Sequence, residues 1–470
     1  MLEPTTKTAI VTSGPRIIGL FLFSLFTFHS SLFAAAQPRQ HPCLLLTPQE
    51  KSTILSNLGA FPLFDTTFAD ALHTMDAALA ETIDVPIPKD AAGYTHETHK
   101  RNAALMQTAG FLYQITGDKK YFTYVKTLLD RYAALYPTLT KHPAAKDQAY
   151  GRLFWQSLNE TVWLVNVSQA YDCVYTDLSP ADRARYEETL FRPMVKFLAE
   201  NQGNELDRIH NHGTWVCAAV AMIGYVMGDD DMVQKALYGS RKDGSAGYLR
   251  QLDLLFSPDG YYCEGPYYAR YALMPFFLVA QVIENNQPDL KIFERRDHIL
   301  TKALNVLLQQ SWLDGQFLPL NDSLKDKSWR SSEIVFALAI TYAQTHDDTL
   351  LPVAYDQHTV AFTAAGLEVA AALCSAGSAE FPLGGRREAP PKPPSGNSAF
   401  PDSFPYRSLI LRDGPDGTRG GLALLRTGPK PQRDTLLTLK YTALGMEHGH
   451  YDKLSITYYA DGVFSGMIRE

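Results

Sequence analysis

A multidomain α+β fold, with helical hairpins leading into an antiparallel sheet, is what the sequence predicts. Three observations carry it. From about residue 47 to 375, apolar residues recur at three- and four-residue spacing, broken at Gly, Pro or Asp-rich points. Near residue 376 the period stops in SAGSAEFPLGGRREAPPKPPSGNSAFPDSFP, a stretch rich in Pro, Gly and Ser. Beyond it come short alternating runs bounded by Gly and Asp, the pattern of antiparallel strands.

The N-terminus stands apart from all of this. Lys7 and Arg16 flank polar residues ahead of IIGLFLFSLFTF, and LFAAAQ then offers small residues at Ala34 and Ala36. Charged, apolar and small segments in that order make residues 1–36 a secretory signal peptide, cut after Ala36. The competing reading is a membrane anchor left uncut. Cleavage places the mature chain in a periplasm or outside the cell, with no stable membrane insertion.

The helical domain is expected over residues 37–375. In TPQEKSTILSNL, Thr47 is a natural N-cap and Pro48 suits the first helical position. NAALMQTAGFLYQITG, KYFTYVKTLLDRYAALYP, TVWLVNVSQAYDCVY, ADRARYEETLFRPMVKFLAEN, GTWVCAAVAMIGYVMGD, DHILTKALNVLLQQSW and SEIVFALAITYAQTH follow, each long enough for a helix. Short connections make neighbours antiparallel, and the sequence leaves two stackings open, a solenoid or a closed ring. Residues 376–404 read as a linker, and 405–470 as the start of a sheet built from YRSLILRDG, GLALLRTG, DTLLTLKYTAL and KLSITYYADGVF. Four strands bury a face poorly, so this β-region is expected to be incomplete, truncated at Glu470.

Composition narrows the function. With 46% hydrophobic and 20% charged residues over 470 positions, the chain is globular rather than disordered or fibrous. A net charge of -7 argues against nucleic acid as partner, and a polyanionic ligand would need positive potential built locally in a cleft. The five cysteines, Cys43, Cys173, Cys217, Cys263 and Cys374, lack metal-finger spacing and are odd in number. They read as small buried apolar residues.

Against this scaffold, polar clusters mark the chemistry. RIHNHGTW sets Arg208, His210, Asn211, His212 and Trp215 at the mouth of an apolar helix. SPDGYYCEGPYYARY puts a turn at Asp259 and Gly260 and a helix start at Pro266, with Glu264, Tyr268 and Tyr271 on one face and Arg270 beside them. Tyrosines on a helix usually pack, but five within eleven residues beside Arg270 weaken that reading. In GMEHGHYDKLSI, His448, His450 and Asp452 alternate and share one face of a strand, which suits a metal site or a catalytic pair. A fourth stretch, DVPIPKDAAGYTHETHKRN, gathers His96, His99, Lys100 and Arg101 at a loop-to-helix junction, where a solvated helix start is the plain reading.

Taken together, HPCLLLT, DVPIPKDAAGYTHETHKRN, LFWQSLNE, VSQAYDCVY, RIHNHGTW, DGYYCEGPYYARY and GMEHGHYDKLSI resemble the alginate lyases of polysaccharide lyase family seventeen, the oligoalginate lyases, within the heparinase-II/III-like group. The matches run in family order over residues 41 to 459. The resemblance implies an α/α toroid followed by an antiparallel β domain, and β-elimination of 4-linked uronates. That action is exolytic, prefers mannuronate and releases unsaturated monouronate. It implies that Asn211 and His212 bind and neutralise the substrate carboxylate, and that Tyr268, or Tyr267 one position away, protonates the leaving oxygen. Arg270, Tyr267 and His210 then bind substrate, with Lys146 and Gln148 from the loop KHPAAKDQAYGR. His448 is implied as an active-site histidine and His450 as the first ligand of a structural zinc. The second catalytic tyrosine and the remaining zinc ligands are expected beyond Glu470, so this chain by itself is expected to be weakly active or inactive, its zinc site incomplete. The expected partner is an acidic polysaccharide or oligosaccharide, alginate, and a homodimer is compatible with such a chain.

The physical logic agrees with the resemblance. Removing the C5 proton of a uronate pushes charge onto its carboxylate, so donors fixed around that carboxylate stabilise charge where it develops. A phenol near its ordinary pKa is a competent acid, whereas a phenolate base needs nearby positive charge. Two other classes compete: a glycoside hydrolase using Asp259 and Glu264 as acid and base, and a non-catalytic envelope protein that binds polysaccharide.

Overall fold

The computed structural model describes residues 39–146, 149–200, 204–324, 326–376, 403–427, 435–443 and 454–460, and the backbone of 463–468. Among them run fifteen α-helices and five strands. The helices are α1 (Pro48–Asn57), α2 (Pro62–Ala80), α3 (Tyr94–Thr116), α4 (Lys119–Leu135), α5 (Ser157–Val174), α6 (Pro180–Tyr186), α7 (Arg192–Glu200) and α8 (Asn211–Met227). They continue with α9 (Asp230–Tyr238), α10 (Gly247–Leu254), α11 (Pro266–Asn286), α12 (Arg295–Gln309), α13 (Ser332–Thr345), α14 (Leu351–Gln357) and α15 (Ala364–Ser375). No described helix is long and apolar enough to cross a membrane.

Burial sorts these helices into two layers. In α8 every residue from Gly213 to Val226 is buried, so it is apolar all round and belongs inside. By contrast, α4 buries the stripe Tyr121, Tyr124, Val125, Leu128, Leu129 and Tyr132 and leaves its other face to water. The inner layer packs in the order α3, α5, α8, α11, α13, α15, and α1 and α2 bridge α15 back to α3. The ring therefore closes, which settles the choice between solenoid and toroid. A cavity of about 370 Å³ is lined from around the ring by Thr67, Gln107, Gln169, Met274 and Phe336.

The inner helices run parallel. A strap at residues 39–46 gathers one set of ends: Arg39 donates to the carbonyl of Tyr225 (2.6 Å) late in α8. Asn285 and Asn286 at the end of α11 donate to the carbonyls of Leu44 and Cys43 (both 2.7 Å). Asp172 near the end of α5 accepts from the backbone N–H groups of Cys43 and Leu44 (both 2.8 Å). The helix starts consequently share the opposite rim.

Local rules explain most element boundaries. Thr47 caps α1 in a full capping box with Glu50, with Pro48 at the first position, as the sequence predicts. The stretch read as one helix from residue 181 is broken: a π-helical turn at Glu187–Phe191 separates α6 from α7. Pro193 is the cause, because it lacks the N–H of a regular turn and its ring crowds the carbonyl four residues back.

The sheet is a meander in the order β1 (Leu409–Arg412), β2 (Gly421–Arg426), β3 (Leu436–Lys440), β4 (Ser455–Ala460) and β5 (Val463–Ile468), antiparallel throughout. Four strand runs were read from sequence, and the last divides into β4 and the start of β5. Leu411, Leu422, Leu424 and Leu436 pack on Tyr261, Val306, Leu318 and Leu320 of the helical domain. Arg412 adds a clamp, donating to both carboxylate oxygens of Asp259 (3.0 and 2.6 Å). The linker lies almost wholly outside the described residues.

At the start of α3 the plain reading holds for only half the residues. Lys100 and Arg101 are exposed, but His96 and His99 are buried, and His99 shares a hydrogen bond with the Tyr132 hydroxyl (2.9 Å). Burial drives His99 down from 6.5 to about 4. An unfolded chain takes that proton near pH 6.5, so stability falls as pH drops from 6.5 toward 4, by about 3 kcal/mol in full. His99→Gln should remove that share of acid sensitivity. Denaturant midpoints at pH 7 and pH 4.5 check it, and equal sensitivity in both proteins would clear His99.

Candidate active site

The first half of the site is the start of α8. His210 caps the helix, its Nδ1 accepting from the N–H of His212 (3.2 Å). Gln251 holds the approach: its Oε1 accepts from the His210 N–H (3.1 Å), and its Nε2 donates to the Arg208 carbonyl (2.7 Å). Gly213 permits this tight entry, since a Cβ there would sit 1.9 Å from the Arg208 oxygen. Gly213→Ala should therefore force the 208–210 turn away and lower unfolding free energy by roughly 1–3 kcal/mol. Chemical denaturation checks this, and an unchanged midpoint would mean the turn yields without cost.

Asn211 is buried and donates from Nδ2 to Oε2 of Glu264 (2.9 Å). The His210 Nε2 lies 3.5 Å from the other oxygen of that carboxylate. His212 is half-buried, its ring edge-on to that of His210 with centroids 5.0 Å apart.

The second half is the start of α11. Glu264 precedes the helix, which begins at Pro266, so it does not share a helical face with Tyr268 and Tyr271 as the sequence suggested. Gly265, at φ 82°, turns the chain into the helix in a conformation that favours glycine. Arg270 is buried and ion-paired with Glu333 at the start of α13, and its guanidinium carbon lies 5.3 Å from the centre of the Tyr267 ring. Tyr268 is half-buried; burial, then Asp322, Tyr267 and Glu264, hold its phenol above the ordinary value. Tyr271 stacks at a tilt on Trp215 of α8 (5.1 Å) and packs rather than titrates, since burial pushes it higher still.

Known proteins resemble this chain over most of its length. A family model described as alginate lyase matches residues 84–317. An exo-oligoalginate lyase of Saccharophagus degradans is 45% identical over 423 residues, covering 90% of this chain and 54% of that protein. The chain belongs to the alginate lyase family. An alginate lyase of Stenotrophomonas maltophilia is also 45% identical, over 430 residues, covering 91% of this chain and 54% of its own length. The chain thus spans about half the length of these relatives. Among solved structures, an alginate lyase from Bacteroides ovatus aligns with a TM-score of 0.49 at 12% identity, covering 68% of this chain and 96% of that one. Heparinase III aligns at 0.47 and 15%, covering 82% and 51%.

Within this lyase-family chain the remaining expected residues separate. Lys146 is exposed on its loop, while Gln148, His448 and His450 lie outside the described residues. The loop is anchored by Glu160, a buried carboxylate that accepts from the Tyr136 hydroxyl (2.7 Å) and the N–H groups of Arg152 and Leu153 (2.7 and 3.0 Å). Burial nevertheless lifts the Glu160 pKa. A pattern emerges that the sequence reading missed. Glu160, Glu264 and Glu333 sit at the starts of α5, α11 and α13, and each holds a neighbouring loop, amide or guanidinium in place. From the sheet, Lys440 of β3 reaches the side-chain oxygen of Asn321, whose amide approaches the carbonyl of Cys263 (3.3 Å). An acid in a helix's first turn is the one sequence signal that would have pointed to Glu333.

Proposed function

We propose that this chain cleaves the 4-linked uronates of alginate oligosaccharides by β-elimination, working exolytically with mannuronate preferred and releasing unsaturated monouronate. The observation that carries the reading is the junction of two helix starts: Asn211 on α8 is hydrogen-bonded to Glu264, and Tyr268 and Arg270 follow within the next two turns of chain. The names of the two relatives support the same chemistry.

A base takes the C5 proton, a part that the family resemblance gives to a second tyrosine; the electron pair left on C5 forms the C4=C5 double bond, the C4–O bond breaks, and the leaving oxygen takes a proton from the acid. Asn211 and His212, at the positive end of α8, receive the carboxylate as charge moves onto it. Tyr268, protonated at neutral pH, supplies the proton that the leaving oxygen needs. Arg270, fixed by Glu333, binds a second acidic or hydroxyl group of the sugar chain. Tyr267 lies against Arg270 and is assigned to substrate binding, which leaves Tyr268 as the proposed proton donor.

The hydrolase reading fares worse, because Asp259 is bound on both oxygens by Arg412 and Glu264 is engaged with Asn211. The test follows ultraviolet absorbance with polymannuronate oligosaccharides, for this chain and for a version extended through a full β domain. Rising absorbance with unsaturated monomer as the early product is expected from the extended version, and little or none from this chain. New reducing ends without absorbance would establish hydrolysis instead.

The same proposal includes a structural zinc in the extended version, held in part by His450 and read by metal content lost in His450→Ala. It includes export by way of residues 1–36, read by a mature N-terminus at Gln37. It also includes a homodimer, read by light scattering.

A further inference from the structure

We infer that Glu264 is a positioning residue that acts through Asn211, fixing which way its amide faces. The inference rests on the proposed elimination. Glu264 is 1% exposed, and a buried carboxylate is a costly neighbour for a site that must gather negative charge on its substrate. Its placement therefore calls for a compensating role.

The chemistry of the pair supplies one. A side-chain amide can turn over, exchanging its oxygen and nitrogen, and the two ends have opposite hydrogen-bonding character. Glu264 accepts at Oε2 from Asn211 Nδ2 (2.9 Å), which holds the amide in the orientation with its nitrogen toward the carboxylate. That nitrogen carries a second N–H, which the same geometry commits to the side away from Glu264, as a donor. With the amide reversed, Asn211 would offer an acceptor oxygen to an anionic substrate and repel it.

The rest of the cluster holds the carboxylate beside Asn211. Oε1 lies 3.5 Å from His210 Nε2, and His210 is itself fixed as the cap of α8 by the N–H of His212 and by Gln251. Gly265, next in the chain, has no room for a side chain, since a Cβ would stand 2.9 Å from the amide nitrogen of Asn321. The carboxylate is thus delivered by a rigid turn to a rigid helix start.

The test is a double-mutant cycle on whichever form of the protein turns over. Glu264→Leu, close in size but unable to accept, should lower kcat about ten- to a hundredfold with KM changed less than about threefold. Glu264→Gln keeps an acceptor oxygen and should lose less. The decisive reading is Asn211→Ala combined with either variant, which should be no slower than Asn211→Ala alone. Multiplying losses, or a Glu264→Leu protein with wild-type kcat, overturns the inference. Near-ultraviolet circular dichroism and melting confirm folding; if Glu264→Leu fails to fold, the Glu264→Gln cycle decides by the same criterion.

Absence of unsaturated product from wild type would overturn the proposed elimination but not by itself this inference. In that case the cycle is read on calorimetric affinity for a mannuronate trisaccharide, where the same non-additivity is expected. Additive losses there, or no binding at all, overturn it.

Discussion

Replacing Tyr268 by Phe is expected to lower turnover of mannuronate oligosaccharides by about a hundred- to ten-thousandfold, the usual worth of a positioned general acid. Affinity should change by no more than about threefold, because the ring and its packing are kept and only the hydroxyl is lost. The direction of the phenol's shift matters. Burial and the carboxylates of Asp322 and Glu264 raise it, so the hydroxyl stays protonated through neutral pH and is suited to give a proton, not to take one. Absorbance at the new double bond gives the rate, and calorimetry with the same oligosaccharide gives the affinity. If Tyr268→Phe keeps wild-type turnover and Tyr267→Phe loses it, the acid is the neighbouring ring. If both keep it, the acid lies elsewhere in the cleft.

How much of this was legible in the sequence depends on how local each cause is. The cap of α1 needs only Thr47, Pro48 and Glu50, so it could be read directly. The burial of α8 could be read too, because its residues are apolar on every side. Closure of the ring could not. It depends on α2, whose first turn has no side-chain cap to announce it, and on packing between helices far apart in sequence. Asn211 and Tyr268 were found through dense polar clusters and a family resemblance. Gln251 and Glu333 were not, since each is defined by a partner 41 or 63 residues away, and for Glu333 the only local signal is its place in a helix's first turn. His96 and His99 looked like decoration on a charged helix start until tertiary packing placed them inside.

The largest stability effect is expected far from the cleft, at Asp172. The donor atoms of His41, Cys43 and Asp172 fall within 4.8 Å of one another, a grouping that resembles a metal site. Its hydrogen bonds describe a clasp instead. Asp172 Oδ1 is bonded to His41 Nδ1 (2.7 Å), Oδ2 accepts from two backbone N–H groups, and burial pushes the Cys43 thiol far from ionising. The His41 ring stacks on Tyr175 at 4.0 Å, closing the clasp from the other side. Asp172→Ala would strand those donors in a dry interior, and removing one partner of a buried charged network costs about 3–5 kcal/mol. Guanidinium unfolding should show that loss, and Asp172→Asn, which keeps an acceptor, should lose less. A second reading guards against misinterpretation. The strap joins the ends of α5, α8 and α11, so lifting it should expose Cys43 to a water-soluble maleimide that in the wild type reaches only the half-buried Cys374. A midpoint within about 1 kcal/mol of wild type, with Cys43 still protected, would show that the strap is held by its apolar residues Leu44, Leu45 and Leu46 alone.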